Sequence, residues 1–168
     1  LHEPEAVATG AGTPFKVFTP FWRACLRRPD PQMPLATPTL SPCPTPVQSE
    51  TLNSWHLLPT APNWAQGWED LWAPGEDGAH AALEQFLAHH VIDYGDGRDI
   101  PSALSTSRLS PYLRFGNISP RQVWHAAQAS KVFQPETSSA TDKFLSEMGW
   151  REFCYHLLFH FPTMPDEA

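Results

Sequence analysis

Charged side chains are scarce in this chain of 168 residues. Asp, Glu, Lys and Arg make up 17%, and the formal net charge at pH 7 is −7. That balance excludes a general polyanion binder working by overall charge. Cysteine is scarce too. Cys25, Cys43 and Cys154 show no CxxC pair and no metal-ligand spacing, which excludes a disulfide framework and a structural zinc site. Cys25 and Cys154 lie in apolar patterns and read as buried thiols, and a sparse, odd count suits a reducing compartment. No stretch approaches the roughly 18 continuous apolar residues of a membrane span, and no signal peptide is visible, so the sequence reads as soluble and cytoplasmic. GxGxxG, a Walker loop, GxSxG and HExxH are all missing, as is any internal repeat. His89-His90 reads as a helix-end pair on the dipole, and no metal site is expected. The chain does not start with Met and stops just after an apolar helix pattern, so it reads as a segment of a longer protein.

Proline and tryptophan are abundant, at 19 and 7 residues. Nine of the prolines fall in residues 29–62, with almost no charge between them. Proline fixes φ and removes a donor, so this stretch is expected to be an extended linker. Its more apolar part, 53–59, is a candidate for docking back onto the domain. Before the linker, Phe15 to Phe18 suits a short strand or an extended entry. Thr19-Pro20 then signals a helix start, with Phe21, Trp22, Cys25 and Leu26 on one face. After the linker, Trp64, Trp68 and Trp72 recur every four residues, which predicts one helical stripe used for core packing or for stacking bases.

The remainder reads as mainly helical. Asp77 suits the cap of a helix over 79–90. Gly95 and Gly97 predict a turn that brings Tyr94 near Arg98. Five hydroxyls lie within 102–110, and Ser110-Pro111 starts a short helical turn through Leu113. Ser119-Pro120-Arg121-Gln122 is a capping box opening a helix to about Ala129. A last helix, starting near Asp142 and running to about His160, is apolar nearly all round and is expected to be central and buried. Charges inside such a helix need a partner or a purpose. Glu147, Trp150 and Arg151 fall on one side of it, either as an internal Glu–Arg pair beside a core Trp or as ligand contacts. Thr106, Ser107, Arg108, Leu109 and Ser110 are likewise either caps and turns or a phosphate-binding loop anchored by Leu109. Residues 94–151 carry seven cations and five carboxylates, a local surplus of positive charge on an acidic chain.

Several ordered motifs carry a resemblance. RDIPSALSTSRLSPYLRFGNISPRQVW followed by FLSEMGWREF resembles the flavin-binding helical domain of the DNA photolyase and cryptochrome family. The spacing of Tyr94, Arg98, Asp99 and Pro101 agrees with that family. Upstream, LLPTAPNWA and WAPGEDGAHAALEQF also resemble it, and GTPFKVFTPFWRACL resembles the exit from its N-terminal α/β domain. The resemblance implies three parts: residues 1–28 as the end of an antenna-type α/β domain, 29–62 as a Pro-rich linker, and 63–168 as the first part of the helical FAD-binding domain. It implies that Tyr94, Thr106, Ser107, Arg108, Leu109 and Ser110 hold FAD, chiefly at its phosphates. Phe144 stands where many relatives place a Trp against the flavin. Arg98 and Arg151 would meet DNA, while Glu147 and Trp150 would contact the damaged pyrimidine pair and act in catalysis. The implied function is light-driven repair of cyclobutane pyrimidine dimers, a carbon–carbon lyase reaction, by a monomer acting on damaged DNA. A second antenna chromophore of folate or deazaflavin type would bind outside this chain. A flavin photoreceptor without repair activity and an inactive truncated fragment are the alternatives, and the segment alone is expected to fold poorly and bind FAD weakly.

Overall fold

The structure is a computed structural model that describes residues 1–42, 44, 45 and 47–166; Cys43 lies outside the described residues. Six α-helices are present among them: α1 (Phe18–Leu26), α2 (Gly75–Gln85), α3 (Tyr94–Gly97), α4 (Ser110–Phe115), α5 (Pro120–Phe133) and α6 (Ser138–His160). The described residues contain no strand, in keeping with the expected mainly helical class. None of these helices is long and apolar enough to cross a membrane.

The longest helix, α6, organises the packing. Thr141, Phe144, Leu145, Met148, Gly149, Phe153 and His156 are buried along it. They recur at three- and four-residue steps, so they form one stripe rather than a fully apolar surface. Cys154, Tyr155, Leu158 and Phe159 on the other side are exposed, which corrects the expectation of burial all round. The first half of the stripe packs into a core with Leu83, Phe86, Val91, Tyr94, Leu109, Ile118, Val123 and Trp124. The second half closes a smaller core in which Phe153 meets Val7, Phe21 and Cys25. Trp22 of α1 touches both cores.

Local chemistry explains both ends of α5. The Ser119 hydroxyl accepts from the Gln122 backbone N–H at 3.2 Å, and Gln122 Oε1 accepts from the Ser119 N–H at 2.8 Å, completing the expected capping box. That helix runs on to Phe133, four residues past the expected end, because no breaker intervenes before Pro135. By contrast α1 starts at Phe18 with an extended Val17 before it, and Thr19 makes no capping bond. Pro20 remains in the first turn, where a missing N–H costs nothing. The residues before α1 form an extended entry, and the Phe15 N–H donates to His156 Nε2 at 3.1 Å.

Three further expectations are corrected. The tryptophan stripe does not form, because Gly67 takes φ +83° and only Trp68–Asp70 makes a 3₁₀ turn. Trp64 meets Trp68 edge-on at 5.4 Å, whereas Trp72 packs on Tyr112 at 6.1 Å. α2 begins at Gly75, so Asp77 sits inside its first turn, and it passes into a π-helical turn at Phe86–His90. Within 29–62, Trp55, Leu57 and Leu58 stay exposed rather than docking. That segment touches the domain at its start, where Trp124 Nε1 donates to Asp30 Oδ1 at 3.3 Å and the His125 ring lies 2.9 Å from the Pro31 carbonyl oxygen.

Gly149 is required by close approach. A Cβ there would lie 2.6 Å from Trp22 Cε3. Replacing Gly by Ala inside a helix ordinarily stabilises by about 1 kcal/mol. Here Gly149→Ala is expected to destabilise by about 1–3 kcal/mol through overpacking, read as a lower denaturant midpoint.

His156 is 1% exposed, and burial followed by nearby His160 lowers its pKa. Nε2 accepts from Phe15, so the ring proton sits on Nδ1, which has no partner. A buried base of this kind is neutral when folded and is protonated first in the unfolded chain. Its contribution is therefore complete above about pH 6.5 and is lost as pH falls toward the lower folded value. The thermal midpoint is expected to drop from about pH 7.5 to about pH 5.5, and His156→Phe, starting lower, is expected to drop less. Equal drops would place the sensitivity on another group, such as His2, whose pKa is also lowered by burial.

Candidate functional site

The turn expected at Gly95 and Gly97 is the single-turn helix α3, in which the Arg98 N–H donates to the Tyr94 carbonyl at 3.2 Å. This turn directs the Arg98 guanidinium over the Tyr94 ring, 5.8 Å from its centroid. α3 packs against α6, so Arg98 reaches across and Nη1 forms an ion pair with Glu147 Oε1. Arg98 Nε lies 3.4 Å from Asp99 Oδ1. Lys143, one turn before Glu147, places Nζ 3.4 Å from the same Oε1. One carboxylate thus faces two cations from two helices. The hydrogen bond to Glu147 is the main cause that raises the Arg98 pKa further above its ordinary value. Burial raises the Tyr94 pKa, against the opposing influence of the Arg98 charge.

Glu147 and Arg151 do not pair. The internal i,i+4 bridge is replaced because Arg98 supplies a nearer partner, and Arg151 Nη1 donates to Glu152 Oε1 at 3.1 Å. The Arg151 guanidinium lies 4.7 Å from the Tyr155 ring centroid. Trp150 is not a core residue: 44% of its surface is exposed. Its ring stacks on Phe18 of α1 at 3.8 Å and an interplanar angle of 12°. A Trp gripped from one side and open to solvent can offer a flat surface to another ring.

The hydroxyl loop lies between α3 and α4. Leu109 is buried in the main core and anchors it. Arg108 adopts φ +52°, a left-handed conformation uncommon outside glycine. Ser105 is buried beneath Gly97, where a Cβ would come within 2.1 Å of Ser105 Oγ. Glycine therefore lets the loop close onto α3. Ser107 Oγ accepts from the Leu109 N–H at 3.4 Å. Thr106, Arg108 and Ser110 use their side chains in no hydrogen bond or ion pair with the described residues. Phe144 sits in the core beside Tyr94 at 5.5 Å and Phe86 at 4.7 Å. Tyr94, Leu109 and Phe144 therefore share one core, while Glu147, Trp150 and Arg151 stand along α6.

Lys143, Phe18 and Tyr155 belong to these clusters although sequence reasoning did not select them. Lys143 and Tyr155 were legible as neighbours one turn from Glu147 and Arg151. Phe18 was not, because its stacking on Trp150 joins segments far apart in the chain.

Comparison with known proteins agrees with this arrangement of elements. No family model matches the chain. A deoxyribodipyrimidine photo-lyase of Agrobacterium fabrum is 44% identical over 168 residues, covering 99% of this chain and 35% of that protein. Cryptochrome-2 of Arabidopsis thaliana is 29% identical over 194 residues, covering 100% of this chain and 29% of that protein. The crystal structure of a bacterial class III photolyase from Agrobacterium tumefaciens matches with a TM-score of 0.89 at 44% identity, over 96% of this chain and 33% of that one. The chain spans about a third of the length of the curated relatives it matches. With the ordered motifs, the helical fold and these identities in agreement, the chain belongs to the photolyase and cryptochrome family.

Proposed function

We propose that this chain forms part of a deoxyribodipyrimidine photolyase, which splits cyclobutane pyrimidine dimers in DNA by light-driven electron transfer from reduced FAD. The observation that carries this reading is the half-exposed Trp150 ring on the same helix as Glu147, whose carboxylate is gripped by Arg98 and Lys143. A damaged pyrimidine pair is apolar on its faces and polar on its edges. Trp150 suits the faces, and Glu147 suits an edge N–H as a hydrogen-bond acceptor. Enzymes that act on a base take it out of the stack, photolyases among them, and damage lowers the cost of unstacking. Arg98 and Arg151 suit the phosphates on either side of the extruded pair.

The hydroxyl loop fits the phosphate end of FAD by its chemistry. Thr106 and Ser110 hydroxyls and the Arg108 guanidinium have no protein partner among the described residues. Hydroxyl donors beside a cation are the groups that phosphate oxygens accept from. Ser107 would join them, Leu109 would keep the loop seated, and Tyr94 with Phe144 would back the cofactor from the core. Bound, reduced and light-excited FAD would supply the electron that opens the cyclobutane ring and would receive it back. The same reading takes residues 1–28 as the exit from an α/β domain and 63–168 as entry into the helical one.

A second reading, a flavin photoreceptor without repair activity, draws on the match to Cryptochrome-2. Loss of dimers from an irradiated oligonucleotide, followed with and without light, separates the two. The intact protein is expected to clear dimers only in light. Glu147→Ala is expected to slow clearance about 10- to 100-fold, the equivalent of losing a charged hydrogen bond worth roughly 1.5–3 kcal/mol. A light-induced flavin absorbance change with no dimer loss would favour the photoreceptor.

A further inference from the structure

We propose that Tyr155 is a positioning residue that holds the Arg151 guanidinium ready for a DNA phosphate. The inference rests on the repair reading, which places Arg151 at the DNA surface. Arg151 and Tyr155 lie one turn apart on α6, so their side chains are neighbours on one face. The guanidinium carbon is 4.7 Å from the Tyr155 ring centroid, and Arg151 Nη2 donates to Tyr155 Oη at 3.5 Å. Nη1 also donates to Glu152 Oε1 at 3.1 Å. The two contacts differ in setting. The Glu152 side chain is 12% exposed, whereas Tyr155 as a residue is 51% exposed. The guanidinium is thus held both by a largely buried carboxylate and by a half-exposed ring.

A ring that exposed contributes little to either core, and Tyr155 belongs to neither. Its ring contact and its side-chain hydrogen bond are both made to Arg151. A free arginine side chain samples many rotamers, and ordering it on binding costs entropy. The ring removes part of that cost beforehand and suits a planar guanidinium, which stacks on aromatic faces where a lysine would not. The N–H groups that Glu152 and Tyr155 do not engage are then presented to phosphate oxygens already aimed. The ring, not the hydroxyl, is the effective part, since the hydroxyl contact is long.

The test measures affinity of the intact protein for a duplex oligonucleotide carrying one cyclobutane thymine dimer, between about 50 and 200 mM salt. One phosphate contact contributes about 0.9 to the slope of log affinity against log salt, which is about threefold over that range. Arg151→Gln is expected to lower the slope by about that amount. Tyr155→Leu is expected to lower it in the same direction, Tyr155→Phe to leave it unchanged, and Tyr155→Leu added to Arg151→Gln to cause no further loss. A Tyr155→Leu effect that persists in the Arg151→Gln background, or a Tyr155→Phe variant as weak as Tyr155→Leu, would overturn the positioning role while leaving the repair reading intact. An unchanged slope in Arg151→Gln would instead overturn the placement of Arg151 at DNA, and the inference with it.

Discussion

Everything described depends on one helix burying one stripe. α6 inserts Phe144, Leu145 and Met148 into the main core and Phe153 and His156 among the residues that precede the linker. Gly149 separates these halves and admits the Trp22 ring to the gap between them. Because burial consumes only a stripe, the remaining face of α6 is available for other chemistry. Glu147, Trp150 and Arg151 occupy it at spacings fixed by the helical repeat. Packing and site are therefore two faces of the same element. A change that rotates α6 by fitting its stripe differently would also re-aim all three site residues.

The electrostatics of that face follow from who reaches it. A carboxylate taken partly out of water needs compensation, and α3 supplies it through Arg98, with Lys143 adding a second cation. The guanidinium in turn is steadied by the Tyr94 ring and by Asp99. Tyr94 thus has a double position, as a wall of the core beside Phe144 and as a support for Arg98. This links the interior, where the flavin reading places the cofactor, with the surface, where the repair reading places DNA.

The extent to which this was legible depends on whether a feature is local. The capping box at Ser119 and Gln122 was legible because its two bonds span three residues. The approach of Arg98 to Tyr94 was legible because one short turn produces it. The tryptophan stripe failed because a single left-handed glycine, Gly67, outweighs a regular spacing. Cys154 looked buried because it sits among apolar residues, yet it faces away from the stripe and is exposed. Two partners, Arg98 of Glu147 and Phe18 of Trp150, were illegible for a further reason. Arg98 and Phe18 arrive from other segments, and no periodicity within α6 encodes them.

The charge balance constrains how such a face could treat DNA. The chain is acidic overall, and the cations of the proposed surface are themselves partnered, Arg98 by Glu147 and Asp99 and Arg151 by Glu152. Under the repair reading, attraction of this face to undamaged duplex, which scales with phosphates neutralised, would be correspondingly limited. Pairing also fixes where each guanidinium points, so a phosphate is rewarded only at the right place. Under the repair reading, selectivity then comes from the lesion. Only a pyrimidine pair that leaves the stack cheaply can reach Trp150 and Glu147 while its flanking phosphates meet the two arginines. A more basic surface would bind all DNA better and weaken that distinction.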